Sequence, residues 1–283
     1  MSRLTPWLQA APLALVLLAF LVVPVAMIVI VSFWSYDSFS LIPDFTLDNY
    51  AWLLSSSVTH NLYLKTLTYA AVTWAITLLI GFTVSYYLVF HVRSLIWQIG
   101  LFLLCTVPFW TSNVIRMISW IPFLGRNGLF NQSLMAAGVT EGPLDFLLFS
   151  DFAVILAYVH LFTLFMIVPI FNSMARIDPA LIEAAVDGGA RPWQVVSEVV
   201  LPLSKTGIAL GSIFVIALVM GDFFVVRIMS GGQSGSVVSA MMNEIGLLQY
   251  PSAAAGAVVL LVITTLMVAG IFRLVDVRKE LAA

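Results

Sequence analysis

Apolar residues in this chain fall in runs far longer than one face of a soluble helix requires. A helix rises about 1.5 Å per residue, so roughly 20 apolar residues cross the core of a bilayer. Six stretches reach that length: 13–34, 66–90, 95–122, 152–175, 203–229 and 253–275. The pattern predicts an all-α, polytopic membrane protein with six spans, forming a single membrane domain over residues 1–283. The third and fifth stretches are long and carry polar groups, so a tilt or a break is expected in each. The first run exceeds the apolar core of a signal peptide. The bulky "VSFWSYDSF" that follows offers no small-x-small cleavage site, so the run reads as a retained span.

The regularity fails between the fourth and fifth runs, at "ALIEAAVDGGARPWQVVSEVVLPLSK", residues 180–205. Asp178 before Pro179 predicts a helix start, a capping carboxylate followed by proline at the first helical position. Leu181, Ala184, Ala185 and Val186 offer a small apolar face, while Glu183 and Asp187 lie four residues apart on a more polar side. Gly188 and Gly189 end that helix, and Pro192 opens a second one that returns through Val195, Val196 and Val199 to Leu201 and Pro202. A helix of alanines can lie close in a groove of another protein, because alanine loses no side-chain entropy on docking. The alternative is an amphipathic helix on lipid headgroups, but such helices carry basic residues and large apolar anchors.

Composition supports the membrane reading. With 61% hydrophobic and 9% charged residues and a mean hydropathy of +1.07, the chain lies outside the range of soluble domains. The net charge of −2 says little about partners, and nucleic-acid binding is not expected. The basic residues are more informative. Arg3, Arg93, Arg176, Arg191, Lys205, Arg273, Arg278 and Lys279 fall on one side of the six-span topology. Only Lys65 and Arg126 fall on the other, while Arg116 and Arg227 lie within spans. The positive-inside rule then places both termini and the loop 176–205 in the cytoplasm. Asp37, Asp44, Asp48, Glu141, Asp145, Asp151 and Glu244 fall outside, either as attraction for cations or because acidic residues translocate readily. Cys105, the single cysteine, reads as a small buried apolar residue.

A solute path needs polar groups inside the bundle. The third run contains "TVPFWTSNVIRMISW", with Pro108, Thr111, Ser112, Asn113, Arg116 and Ser119. A proline there frees backbone carbonyls and predicts a kink. The fifth run contains "VMGDFFVVRIMSGG". Asp222 with Phe223, Phe224, Trp110 or Trp120 can form a carboxylate-and-aromatic path for an organic cation. Equally, Asp222 can pair with Arg227 or Arg116 and only hold helices together. His160 in the fourth run reads as a helix-packing hydrogen bonder.

The segment "EAAVDGGARPWQVVSEVVLP" resembles the cytoplasmic signature of permease subunits in binding-protein-dependent ABC importers. That signature is Glu-Ala-Ala, three residues, Gly, nine residues, Ile, one residue and Leu-Pro. Glu183, Ala184, Ala185, Gly189, Leu201 and Pro202 fall in register, with Val199 where isoleucine is usual. The resemblance implies the type I importer permease fold and a coupling helix. Glu183, Ala184, Ala185, Asp187, Gly188 and Gly189 would dock on an ATP-binding subunit, and Val199 to Pro202 would join that element to span five. It also implies a second permease chain, two ATP-binding subunits holding ATP and Mg, and a periplasmic solute-binding protein, with no cofactor on this chain.

"TVPFW", then "IR", "NGLFN" and "MSGG" are similar to the first membrane subunit of spermidine/putrescine importers, from about Leu62 onward. This implies a polyamine or related nitrogen compound as solute, with Trp110, Asn113, Arg116, Asp222 and Phe223 as candidate pathway residues. Other solutes of this branch, opines, aminophosphonates and ferric iron, stay open. An ion-coupled secondary transporter relaying through Asp222 and His160 is the competing class, but the inverted repeats expected of it are not evident. Ser-Gly-Gly-Gln in residues 230–233 matches the core of the ABC ATPase signature, yet no G-x-x-x-x-G-K-[ST] phosphate loop accompanies it. It reads as a flexible glycine turn at the outer end of span five, and the chain is not expected to be an enzyme.

Overall fold

The computed structural model describes residues 5–37 and 40–274. Arg3, Arg278 and Lys279, used above for orientation, lie outside the described residues. The chain begins with α1 (Thr5–Leu17), a π-helical turn (Leu18–Val22) and α2 (Val23–Val31). From Ala11 to Val31 this is one apolar helix in which no residue is buried. A helix apolar all round and uncovered by its own chain is suited to lipid or to a neighbouring membrane subunit. A short hairpin, β1 (Ser35–Asp37) with β2 (Ser40–Ile42), departs from the all-helical expectation. Asp44 holds it by accepting from the Ser35 amide at 2.8 Å and the Ser35 hydroxyl at 3.0 Å.

After α3 (Asp48–Ser55) comes α4 (Ser57–Phe90), about 50 Å long and therefore longer than a bilayer core. The third expected span is not one rod. It consists of α5 (Leu95–Thr106), a 3₁₀ turn (Val107–Trp110), α6 (Asn113–Leu124) and α7 (Leu129–Ala136). The two halves, Leu95–Trp110 and Asn113–Ala136, meet at 88°. Pro108 sits in the 3₁₀ turn just before the bend, where the sequence places a kink. The fourth span is the unbroken α8 (Asp151–Met174).

Next come α9 (Pro179–Asp187), α10 (Pro192–Gln194), a π-helical segment (Val195–Val200), α11 (Leu201–Leu203) and α12 (Lys205–Met220). Pro192–Leu203 meets Lys205–Met220 at 69°. The fifth expected span therefore starts at a bend and breaks again before α13 (Phe224–Met229). The chain ends in α14 (Val237–Gly246) and α15 (Tyr250–Leu274). Among the described residues, four helices are long and apolar enough to span a membrane unaided, and counting each bent pair as one span gives the six expected from the sequence.

Two compact units are formed. The first comprises Met1–Tyr63 with Val237–Ile263, and the second comprises Leu64–Ser236 with Thr264–Ala283. In the first, Asn49 Nδ2 donates to the carbonyls of Ser32 and Trp34, and Tyr63 OH donates to the Gly256 carbonyl at 2.9 Å. In the second, α8 is the central core helix, with Val154, Ala157, Tyr158, Met166 and Ile170 fully buried. Helix α12 packs along it through Gly207 and Gly211. A methyl group on Gly207 would collide with the Pro169 carbonyl and lie 2.6 Å from Ser173 Cβ. One on Gly211 would lie 2.7 Å from Met166 Sδ. Glycines four apart let two membrane helices approach closely enough for dispersion to hold them. Trp74 Nε1 donates to Ser212 Oγ and Ser85 Oγ to the Ile167 carbonyl, fixing the second half of α4 to the same core.

Candidate functional site

The elbow between α8 and α12 follows directly from its sequence. Asp178 Oδ1 accepts from the Ala180 amide at 2.9 Å, and Pro179 supplies a first helical residue that has no amide to satisfy. At the other end Gly189 has φ +84°, a left-handed conformation that suits glycine. It lets the Gly189 amide donate to the Val186 carbonyl at 2.9 Å and the Ala190 amide to the Ala185 carbonyl at 3.0 Å, a Schellman closure. The Arg191 amide then donates to Gln194 Oε1 at 2.8 Å, starting the return segment. Val195 and Val200 bury that segment in the second unit, and Ser204, also buried, bonds back to the Val200 carbonyl at the bend.

The outer surface of the elbow combines apolar side chains and carboxylates. Leu181 is 49%, Val186 55% and Trp193 62% exposed, beside exposed Glu183, Ala184 and Asp187. Ala185 is half-buried, while Gly188, Gly189 and Pro202 are exposed. Behind the elbow lies a cavity of about 770 Å³ bordered by Asn172, Arg176, Asp178, Leu181, Thr206 and Phe214.

The pathway candidates fall into two groups. Trp110 is strongly exposed at the end of the 3₁₀ turn. Asn113, one turn before Arg116 on α6, accepts from Arg116 Nη2. Arg116 is buried and shares two cavities with His160. Trp120 Nε1 donates to His160 Nδ1 at 3.1 Å, so His160 does join helices as a hydrogen bonder.

Asp222 belongs to the second group, in the break between α12 and α13. Its Oδ1 accepts from the Val225 amide at 2.8 Å and from Tyr158 OH at 3.2 Å. Among the described residues it forms no ion pair, with Arg116, Arg227 or any other group. Phe223 is half-buried, edge-to-face with Phe224, and Arg227 is exposed. Asp222 and Phe223 line neither of the cavities that Arg116 borders.

Sequence reasoning did not find a cluster around Asp151. Lys65 Nζ lies 3.1 Å from Asp151 Oδ1, Tyr69 OH donates to the same oxygen at 2.6 Å, and Ser234 Oγ is 2.6 Å from that hydroxyl. Ser230 Oγ also donates to the Ser234 carbonyl. The Ser-Gly-Gly-Gln turn is therefore closed on itself by Ser230 and tied at the next residue, Ser234, to the Tyr69 hydroxyl. The only local signal for this cluster is the i, i+4 spacing of Lys65 and Tyr69.

Residues 99–279 match the family of binding-protein-dependent transport system inner membrane components. Over 255 residues the chain is 32% identical to the spermidine/putrescine transport system permease protein PotB of Salmonella typhimurium, covering 89% of this chain and 87% of that protein. PotB of Escherichia coli is 33% identical over 258 residues, covering 89% and 90%. The inner membrane ABC transporter permease protein YdcU of Escherichia coli is 28% identical over 256 residues, covering 86% and 80%. In fold, the chain is similar to a chain of a bacterial alginate ABC transporter crystallised with its pentasaccharide-bound periplasmic protein. That match has a TM-score of 0.74 at 16% identity, covering 94% and 92% of the two chains. With the apolar spans and the type I permease fold already described, these matches establish that the chain belongs to the inner-membrane permease components of binding-protein-dependent ABC importers.

Proposed function

We propose that this permease forms part of the import pathway for a polyamine or a related small organic nitrogen compound, and that the elbow at Pro179–Asp187 is its contact with a separate ATP-binding subunit. The observation that carries the coupling role is the elbow itself. It is a nine-residue helix closed at both ends by its own caps, exposing Leu181, Val186, Glu183 and Asp187. Exposed apolar side chains rimmed by charge suit a protein partner better than water. Caps at both ends let the helix move as a rigid piece, and the Ser173 hydroxyl of α8, donating to the Leu203 carbonyl at 3.4 Å, ties the return segment to the core. Closure of two ATP-binding subunits around ATP and Mg would pull on the elbow and tilt that core between inward- and outward-facing states. This chain itself is the permease, and ATP hydrolysis resides in the partner.

The solute class is taken from the relatives named for spermidine and putrescine. Opines, aminophosphonates, ferric iron and an ion-coupled mechanism are not favoured by those relatives. A second, similar permease chain, a periplasmic solute-binding protein and cytoplasmic termini complete the arrangement, with residues 1–283 acting as one membrane domain. Trp110, Asn113 and Arg116 on the bent third span and Asp222 and Phe223 in the break of the fifth are its candidate wall. Broken helices with polar residues occur in membranes where they border a cavity or another subunit. The test is co-purification. A tagged chain should bring down an ATP-binding subunit, and Glu183→Arg should reduce its recovery at least ten-fold while the permease stays folded. Undiminished recovery with Glu183→Arg would argue against the elbow as the contact.

A further inference from the structure

Arg116 is 8% exposed, and its Nε is buried without a hydrogen-bond partner. One terminal nitrogen bonds to Asn113 Oδ1. A guanidinium has five N–H donors, and leaving one buried and unmet is costly unless something accepts it. Arg116 borders a cavity of about 290 Å³ with Cys105, Phe109, His160, Thr163 and Leu164. It also borders one of about 430 Å³ with Thr111, Ser119, Trp120 and His160. No Asp or Glu borders either cavity. Because Trp120 donates to His160 Nδ1, that nitrogen is an acceptor and the ring proton sits on Nε2, a second donor on the same wall. The space is therefore apolar and aromatic, with a fixed cation and a neutral donor, in the size range of small-molecule sites. Such a wall repels an ammonium group and favours an oxyanion.

We propose that Arg116 and His160 form a subsite for a carboxylate of the solute, so that the imported nitrogen compound is zwitterionic, with an ammonium at one end and a carboxylate at the other. This rests on the importer reading above and, within it, selects a related nitrogen compound that carries a carboxylate over a polyamine, which has none.

Cys105 is the chain's single cysteine and borders the same cavity, so the native protein carries its own reporter. In the assembled transporter, Cys105 is modified with anionic sulfonatoethyl or cationic trimethylammonioethyl methanethiosulfonate. The ratio of the two rates cancels the thiol's own reactivity. We expect that ratio to fall about ten-fold in Arg116→Gln, as loss of one nearby charge predicts, and to be retained in Arg116→Lys. In the unmodified protein, 5-aminopentanoate should slow the reaction several-fold where equimolar putrescine, which differs only in one end group, does not. This second arm decides the matter if Arg116→Gln fails to assemble.

A ratio indifferent to Arg116→Gln, equal or better protection by putrescine, or a Cys105 inert to both reagents would overturn the subsite. So would a charge preference present in the isolated chain but absent from the assembly, the mark of a partner carboxylate. Failure of the coupling role would show separately, as an ATP-binding subunit that does not co-purify.

Discussion

Asp222 shows how little of a residue's role its identity reveals. In sequence it is a carboxylate inside a span, equally ready to serve a cation path or an ion pair. In the structure its oxygen starts α13 through the Val225 amide and receives the hydroxyl of Tyr158. The first contact is local, three residues along, but was not read from the sequence, where residues 203–229 form one apolar run. The second spans 64 residues and was not legible there. An amide oxygen accepts both bonds, so Asp222→Asn should assemble as the parent protein does but import more slowly, as a wall residue that has lost its charge. Asp222→Leu, which leaves the Tyr158 hydroxyl and the helix start unmet, should cost about 1–3 kcal/mol, read as a lower thermal midpoint. Unchanged uptake in the folded Asp222→Asn protein would assign Asp222 to packing alone.

Glu244, in α14, is a second case. Burial raises its carboxyl above the ordinary value, against a Ser252 hydrogen bond that lowers it. A raised folded pKa means the native state binds the proton more tightly than the unfolded chain. The stability it contributes is full below about pH 4.3 and lost as pH rises through the higher native value. Glu244→Gln should remove that loss, so its thermal midpoint should gain on the parent protein as pH rises from 4 to 7. A difference that stays constant with pH would exclude this origin.

Among the elements, the elbow was the most legible, because helix caps are local. Asp178, Pro179, Gly188 and Gly189 act within one turn of where they stand. The bends were half legible. Pro108 and the polar residues after it announced an interruption, but the 88° angle depends on what packs against each half. The fifth span was expected to tilt or break, and it does both, with a bend at Ser204 and a break at Gly221–Phe223 whose positions the apolar run does not mark. The Gly207–Gly211 spacing was visible and unused, because glycine becomes meaningful only when a neighbour such as Met166 or Pro169 is known to face it. Gly207→Leu should drive α12 off α8 and abolish recovery of monodisperse protein in detergent. Gly270→Leu, on a glycine with open space around it, should be tolerated. Equal recovery of the two variants would contradict close packing through Gly207.

For the whole molecule, the uncovered first helix and the exposed elbow describe a chain built to be completed by others. Its apolar N-terminal span has no buried residue, as expected of a subunit that meets lipid or a second permease. The proposed cytoplasmic placement of its termini and elbow rests on the distribution of arginine and lysine, and the proposed coupling role on which side of the membrane the elbow occupies. The direct test is labelling of Ala184→Cys, in a Cys105→Ala background, with a membrane-impermeant maleimide. The account predicts reaction only after the inner membrane is opened, and protection when the ATP-binding subunit is co-expressed. Reaction from the periplasmic side of sealed membranes, or labelling unaffected by the ATP-binding subunit, would contradict it.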